Sequence, residues 1–196
     1  MKINFQTMEN CCRSTTPPAA KPHRYFLWLF VLSGTNAGKE GINMNFVAPL
    51  IAVKDMKTAR AFYENVLGQE VTLDLGQNVT MNGRFALQED YAGLMGVEGL
   101  TITPKGNDHE LYFDEEDFDS FIERLNTFGE IAYVHKAKEY PWGQRVVRFY
   151  DPDGHIIEVG ESMESLFKRF ASQGMSVEEV AARTMHPVEF VKLYIK

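Results

Sequence analysis

One stretch, WGQRVVRFYDPDGHIIEVGE at residues 142–161, constrains the fold of this chain more than any other. Two runs of strand-forming residues, 144–150 and 155–160, flank the turn sequence Asp-Pro-Asp-Gly. Proline suits the second position of a tight turn and glycine tolerates a positive φ at its end, so the stretch predicts a β-hairpin. Glu158 stands between two β-branched residues inside the second strand. A carboxylate at that position must face water, pair with a cation or bind a metal ion.

The order strand, helix, strand, strand, strand occurs twice along the chain. In the first copy, residues 46–53 have the pattern of a strand, Asp55 is a helix N-cap, and three short strands follow. In the second copy, residues 108–161 repeat this order with Asp117 as the helix N-cap. Two copies are too few for a repeat array, so the duplication predicts an α+β fold built from two paired βαβββ modules.

The hairpin resembles the last hairpin of the vicinal oxygen chelate superfamily, which includes glyoxalase I, bleomycin-resistance proteins, fosfomycin-resistance enzymes and extradiol dioxygenases. The sequences AVKD at 52–55, AFY at 61–63 and VLG at 66–68 resemble the first strand and helix of that superfamily. The resemblance spans residues 46–161. It implies that the two modules form one cupped, mixed β-sheet around a central site. In metal-dependent members the glutamate of the DPDG-x-x-x-E pattern, here Glu158, is a metal ligand.

The resemblance also implies where the other metal ligands would lie, because each module supplies one from its first strand and one from its last. Gln88 superimposes on Glu158 in the first module, although an amide is a weak oxygen ligand. The second module offers His109 or Glu110, depending on a one-residue register choice. The remaining position holds Ala48, which cannot bind a metal ion. A divalent metal ion would therefore have an incomplete ligand set, and the two histidines of an extradiol dioxygenase site are not supplied.

Three further residues are candidates for binding a substrate. Trp142 either closes the mouth of a pocket with its ring or attaches a loop to the sheet. Arg145 either binds a substrate carboxylate or phosphate, or forms a salt bridge with Glu158 or Glu139. His135 ends a strand, where it is either an exposed polar residue or part of the pocket.

The N-terminal part, residues 1–43, differs from the rest and is predicted to be a disordered or non-core extension. A short apolar run at 25–32 follows basic residues, which loosely resembles a secretion signal. The alternative is an extension ahead of a natural start at Met44. The only cysteines, Cys11 and Cys12, are adjacent and provide no disulfide framework, so we expect a reducing, cytoplasmic location.

The domain predicted at residues 44–161 is followed by a helical appendage at 162–196. Helices are predicted at 163–173, 177–184 and 188–195, the second beginning at a capping box. The middle helix faintly resembles the first helix of a helix-turn-helix. The tail from residue 163 nevertheless carries five Lys or Arg against four Glu, whereas DNA-binding surfaces are clearly basic. Packing on a sheet edge or on a second copy is therefore favoured.

Net charge narrows the choice of partner. The chain carries −7, but its first 43 residues hold five Lys or Arg and two Glu, so the rest carries −10. An acidic body argues against nucleic acid or an anionic membrane as the main partner. We expect a small-molecule ligand and a homodimer.

Two functions fit these observations. The first is a glyoxalase-like lyase or isomerase, in which a divalent metal ion and catalytic Glu158 act on a substrate with adjacent oxygens. The second is a metal-free, bleomycin-resistance-like protein that sequesters an organic ligand. A regulator with a DNA-binding tail is a third and weaker alternative.

Overall fold

The computed structural model describes residues 45–195, so the predictions for residues 1–43 lie outside the described part of the chain. The elements of the first module are β1 (Leu50–Val53), α1 (Met56–Asn65), β2 (Val71–Asp74), β3 (Asn78–Met81) and β4 (Phe85–Glu89). A short helix, α2 (Tyr91–Met95), follows β4 and is not predicted from the sequence.

The second module repeats the first. Its elements are β5 (Glu110–Glu115), α3 (Phe118–Leu125), β6 (Tyr133–Glu139), β7 (Arg145–Tyr150) and β8 (Ile156–Glu161). Three helices complete the chain: α4 (Met163–Ser172), α5 (Val177–Thr184) and α6 (Val188–Val191). The α+β fold with two βαβββ modules and C-terminal helices is therefore confirmed. Within residues 45–195, no helix is long and apolar enough to cross a lipid bilayer.

Both modules begin their helices in the same way. The Asp55 side chain accepts a hydrogen bond from the Thr58 backbone N–H at 2.7 Å, and Asp117 accepts one from the Ser120 N–H at 3.1 Å. An N-cap carboxylate satisfies a backbone donor that has no partner within the helix and stabilises the positive end of the helix dipole. These two aspartates therefore set where α1 and α3 start, as the sequence predicts.

The strands form two four-stranded sheets with the same arrangement. The orders are β1-β4-β3-β2 and β5-β8-β7-β6. The outer pair of each sheet, β1 with β4 and β5 with β8, is parallel, whereas the other pairs are antiparallel. A parallel pair needs a crossover connection, and α1 and α3 begin the two crossovers.

One hydrophobic core joins the two modules. It contains one face of each sheet together with α1 and α3, and its members include Ile51, Val53, Leu87, Phe121, Phe149, Ile157 and Val159. The Tyr63 hydroxyl also donates a hydrogen bond across the modules to Asp151 Oδ2 at 2.9 Å. Because side chains alternate along a strand, the opposite faces of both sheets point away from this core. Gln88 lies on that outer face of the first sheet and Glu158 on that of the second.

The C-terminal helices have a core of their own, which includes Leu166, Phe167, Phe170, Val180 and Val191. Ser176 and Glu179 form the predicted capping box at the start of α5. The last helix is shorter than predicted, since α6 ends at Val191. Arg169 of α4 attaches this layer to the second sheet by donating hydrogen bonds to Glu161 from both Nε and Nη2 at 2.8 Å.

Candidate functional site

Glu158 lies near the middle of β8 with its side chain on the outer face of the second sheet. Its neighbours across the two adjacent strands are Arg148 of β7 and Tyr112 of β5. Glu158 is only 8% exposed, so it is not simply the solvent-facing residue of an alternating strand. Its Oε2 contacts Nη2 of Arg148 in an ion pair. Of the options that the sequence left open, pairing with a cation is the one observed.

Glu110 is the second carboxylate of this face. Its carboxylate accepts a hydrogen bond from Arg148 Nε at 2.8 Å, and the nearby Glu158 shifts its pKa. This geometry settles the register of the first strand in the second module. Glu110 shares the face of Glu158, whereas the preceding residue, His109, alternates away from it. One guanidinium is thus shared between two carboxylates.

His135 and Tyr140 complete the surroundings of the guanidinium. His135 Nδ1 lies 2.9 Å from the Lys136 carbonyl oxygen, so Nδ1 must carry the proton. The opposite nitrogen, Nε2, then presents its lone pair to Arg148 Nη1, 3.2 Å away. The Tyr140 hydroxyl also contacts Nη1. The register of β6 shifts on both sides of His135, which places this side chain opposite Arg148.

Aromatic side chains border the charged group. The rings of Tyr140 and Trp142 stack with centroids 4.6 Å apart. Trp142 Nε1 donates to Gln144 Oε1 at 3.3 Å, and Gln144 Nε2 donates to the Tyr112 hydroxyl at 3.1 Å. Gln144 is 1% exposed, so it acts as a buried connection between the two ring systems. Trp142 therefore both attaches its loop and contributes a flat surface next to the site.

Burial and the sharing of one cation together set the electrostatics of this face. Burial and the neighbouring Glu110 carboxylate raise the pKa of Glu158 to about 7, against the opposing effect of Arg148. Burial also acts to raise the pKa of Glu110, but hydrogen bonds from Arg148 and Glu158 hold it below its ordinary value. Of the pair, Glu158 is therefore the group that takes up a proton first as the pH falls. Burial raises the pKa of Tyr112 to about 12, so this hydroxyl stays neutral.

Two predicted residues lie away from this group. Arg145 is on the core-side face of β7, where Nη2 pairs with Glu161 at 3.0 Å and Nη1 with Asp119 at 2.7 Å. Its partners are therefore neither of the two glutamates considered from the sequence. His109 pairs with the adjacent Asp108 at 2.8 Å, and its side chain is 56% exposed.

Gln88 is likewise separate from Glu158. It lies in the first sheet, where its Oε1 accepts from Asn78 Nδ2 at 2.9 Å and its Nε2 donates to the Glu89 carbonyl oxygen at 2.6 Å. Ala48 precedes β1 and supplies no ligand. Of the four proposed metal ligands, the structure brings together only Glu158 and Glu110.

These residues do not fit a divalent metal ion. Within residues 45–195, no three His, Cys, Asp or Glu side chains are arranged to hold one. The guanidinium of Arg148 stands between the two carboxylates, where it already supplies a positive charge. A cation added beside it would be repelled at close range.

Arg148 is the main residue that the sequence analysis missed. A signal was present, because Arg148 and Glu158 lie at nearly equal distances on either side of the hairpin turn. Tyr112 gave no comparable signal, since its proximity depends on the pairing of β5 with β8, which are far apart in the sequence. Tyr140 and Gln144 lie in the short connection between β6 and β7, close to Arg148 in the sequence, and the sequence analysis did not single them out.

Two surface pockets lie elsewhere on the molecule. One of about 350 Å³ is beside the hairpin turn, lined by residues that include Lys54, Phe62 and Asp153. The other, of about 410 Å³, lies between α3 and β6 and includes Arg145. Neither of these two pockets is lined by Glu158.

The fold and this face define a protein of two paired βαβββ modules, with Glu158 on the last strand of the second module. Residues 46–164 match the glyoxalase-like domain family. This match covers more than half of the chain, and the chain belongs to that family, within the vicinal oxygen chelate superfamily.

Solved structures agree with this assignment. A protein of unknown function from Agrobacterium tumefaciens str. C58 is 33% identical, over 62% of this chain and 97% of its own, with a TM-score of 0.55. A glyoxalase-related enzyme from Fulvimarina pelagi is 21% identical, over 61% and 89%, with a TM-score of 0.51. A glyoxalase/bleomycin resistance protein/dioxygenase from Nocardioides is 22% identical, over 61% and 85%, with a TM-score of 0.50. The last two support the fold alone. No curated protein sequence matches the chain.

Proposed function

We propose that this protein binds a planar organic ligand on the outer face of the second sheet, without a divalent metal ion. The observation that carries the proposal is the position of Arg148, which pairs with both Glu110 and Glu158. A guanidinium that pairs with both carboxylates holds them together without a metal ion.

The aromatic residues beside this charged group support a flat ligand. Tyr112 is 38% exposed on the face of Glu158, and the stacked pair Tyr140 and Trp142 borders the same group. Rings of this kind provide large contact areas and favour stacking with other planar groups. The exposed part of Glu110 supplies a hydrogen-bond acceptor that orients the ligand.

A second copy of the chain is part of the proposal. The outer faces of the two sheets point away from the core that the modules share. Each sheet ends in a strand, β1 or β5, that pairs on one side only among the described residues. Leu50 of β1 is apolar and 40% exposed. We infer that a homodimer places the first sheet of one copy over the second sheet of the other and closes a cup around the ligand.

A proton-transferring lyase or isomerase is a second candidate, favoured by one observation. The pKa of Glu158 is raised to about 7, close to the value that suits a general acid or base at neutral pH. Tyr140 and His135 are held at the same guanidinium and would orient a substrate hydroxyl or carbonyl. In this variant of the proposal, Glu158 moves the proton and Arg148 offsets the developing negative charge.

The test of the main proposal combines metal analysis with ligand binding. Elemental analysis of untagged protein is expected to find less than about one-tenth equivalent of divalent metal, and chelator is expected to leave ligand affinity unchanged. A panel of planar organic compounds is screened by thermal shift, where binding raises the melting temperature. Tyr112→Ala is expected to weaken the best compound by about tenfold, whereas Glu123→Gln, on the exposed side of α3, leaves it unchanged.

Three results would decide against the proposal. They are a stoichiometric metal ion in the purified protein, loss of ligand affinity with chelator, and equal affinity in the Tyr112 and Glu123 variants. Turnover of a bound compound that disappears in Glu158→Gln, while affinity remains, would establish the lyase or isomerase instead.

A further inference from the structure

The cavity of about 350 Å³ beside the hairpin turn has walls from both modules. Its apolar and charged side chains include Lys54, Phe62, Lys105, Glu130, Ile131 and Tyr150, and the turn between β7 and β8 closes one side. None of the residues paired with Arg148 lines it. A cavity of this size, with a few polar groups on an apolar wall, is typical of a site for a small molecule.

The wall at the turn is held in place by the loop before β5. The Lys105 backbone N–H donates to the Gly154 carbonyl oxygen at 3.1 Å. Gly154 has a φ of +90°, and a Cβ there would lie 2.9 Å from Lys105 N, so the turn and the loop are in close contact. The Tyr150 hydroxyl donates to Asn107 Oδ1 at 2.9 Å and fixes its ring beside them. This wall is therefore already formed before any ligand binds.

Lys105 brings a positive charge to this wall. Its Nζ lies over the Tyr150 ring, 4.6 Å from the centroid. Among residues 45–195, this ammonium has no ion-pair or hydrogen-bond partner. The contact with the ring holds the ammonium in place, while its N–H groups are left to donate to an anionic group. Lys105 is therefore suited to receive the carboxylate of a ligand.

The carboxylates of the turn are engaged within the protein. Asp151 accepts a hydrogen bond from Tyr63 at 2.9 Å and pairs with His155 at 2.8 Å. Asp153 accepts from the Lys54 backbone N–H at 3.0 Å. Burial raises the pKa of Asp153, and attraction to the charge of Lys54 opposes this rise. The charges of Asp153 and Lys54 thus offset each other across the cavity wall.

Glu130 is the remaining carboxylate of the cavity. It precedes β6, is exposed, and forms no ion pair within the described part of the chain. Glu130 and Lys105 therefore line one cavity with opposite charges that do not contact each other. A ligand that carries both signs of charge can pair with both of them at once.

We propose that this cavity binds an amino acid with an apolar side chain. The carboxylate of the amino acid pairs with Lys105 and its ammonium group pairs with Glu130. Its side chain packs against Phe62 and Ile131, which are half-buried and gain further burial from it. This site is independent of the function proposed for the outer face of the second sheet.

The experiment titrates the full chain with L-phenylalanine and follows the backbone amide NMR signals of Lys105 and Gly154. Saturable shifts are expected at both. N-acetyl-L-phenylalanine lacks the ammonium group, and L-phenylalanine methyl ester lacks the carboxylate. Each is expected to bind at least about tenfold more weakly, because one charged partner is left unpaired. Glycine, which lacks the apolar side chain, is also expected to bind more weakly.

Two variants test the charged residues. Lys105→Met and Glu130→Gln change exposed side chains, so both proteins are expected to fold. Each is expected to weaken binding of L-phenylalanine by about tenfold. Lys192→Met and Glu123→Gln change exposed side chains outside this cavity and are the matched controls, with affinity expected to be unchanged.

Three results would overturn the inference. They are the absence of saturable shifts at Lys105 and Gly154, equal affinity for the N-acetyl derivative, and equal affinity in Lys105→Met and Lys192→Met. Tyr112→Ala, on the outer face, is expected to bind L-phenylalanine normally. If Tyr112→Ala weakens this binding and Lys105→Met does not, the amino acid binds on the outer face and the cavity is not its site.

Discussion

Arg148 and Glu158 lie directly opposite each other on adjacent strands of one hairpin, and their side chains form an ion pair on the outer face of the sheet. The same arginine also binds Glu110, which lies on β5, the strand on the other side of β8. Cross-strand pairs of opposite charge stabilise a sheet, but sharing one cation between two carboxylates leaves one of them short of countercharge. Burial is the larger effect, and together with this shortage it raises the pKa of Glu158 to about 7.

Substitution of Glu158 by glutamine is expected to change how stability depends on pH. The folded-state pKa of about 7 is above the ordinary value of 4.5, so the fold favours the neutral form. Stability is therefore lost as the pH rises through this interval, by about 2 kcal/mol between roughly pH 5 and pH 8. Glu158→Gln removes this loss, and urea unfolding at the two pH values measures it. Glu123→Gln is the control variant. If Glu158→Gln shows the same pH dependence of stability as the unmodified protein, Glu158 ionises freely in the folded protein.

Phenylalanine in place of Tyr63 is expected to weaken the junction between the modules. Tyr63 is fully buried, and its hydroxyl donates to Asp151 Oδ2, which also pairs with His155 Nδ1 at 2.8 Å. Loss of this hydrogen bond is expected to cost about 1–2 kcal/mol. Chemical denaturation measures the change in the free energy of unfolding. Phe62→Leu, which changes a half-buried neighbouring ring, is the comparison variant. If Tyr63→Phe were as stable as the unmodified protein, the prediction would be contradicted.

His155 adds a second pH dependence, at this junction between the modules. It arises from attraction to a carboxylate, whereas that of Glu158 arises mainly from burial. Burial alone would lower the pKa of His155, but its hydrogen bond and attraction to Asp151 raise it above 6.5 overall. The stabilisation from the charged pair is fully present below pH 6.5 and is lost as the pH rises through the raised pKa. NMR titration of the imidazole measures this pKa directly. In Asp151→Asn it is expected to fall below 6.5, and no change in that variant would refute the pairing.

Glu161 is expected to be the residue on which attachment of the C-terminal helices depends most. It is 1% exposed and binds both Arg145 and Arg169. Burial acts to raise the pKa of Glu161, but hydrogen bonds from the two arginines hold it below the ordinary value. Its contribution to stability is thus present above about pH 4.5 and is lost on acidification.

Replacement of Glu161 by glutamine leaves two arginines facing an uncharged group and is expected to cost about 3 kcal/mol. Hydrogen exchange is expected to show faster opening of α4 in this variant, since Arg169 lies on that helix. Lys168→Gln, which removes an exposed pair with Glu164 on the same helix, is the matched control. Equal exchange in the two variants would mean that apolar contacts alone hold the helix in place.

Alanine at Gly160 is expected to disturb the aromatic border of the site. A Cβ there would lie 2.8 Å from Gln144 Nε2 and 3.0 Å from Tyr112 Cε2, which is too close for either group. The clash is expected to break the hydrogen bond between Gln144 and Tyr112 and to cost about 1–3 kcal/mol. Gly129→Ala meets no atom within 4 Å and serves as the control. Thermal unfolding and ligand affinity together test this, and a Gly160→Ala protein that matches the control in both would refute the close packing.

The sequence determined the parts of this protein that depend on local chemistry. Asp55 and Asp117 cap their helices because a short carboxylate reaches the N–H group three residues ahead, and the DPDG turn closes its hairpin through nearby residues. The duplicated order of elements then fixed the α+β class, and the turn together with Glu158 indicated the family. All of these signals lie within short segments.

Only the tertiary structure decided which side chains meet. Arg148 and Arg145 are three residues apart on one strand, yet alternation and register place the first beside Glu158 and the second against Glu161. A register error of one residue would turn each arginine to the opposite face of the sheet, and short strands of mixed composition do not settle register from sequence alone. His135 reaches Arg148 through an irregularity in β6 that has no local signature. The charged group on the outer face is therefore a product of strand pairing, which long-range packing determines.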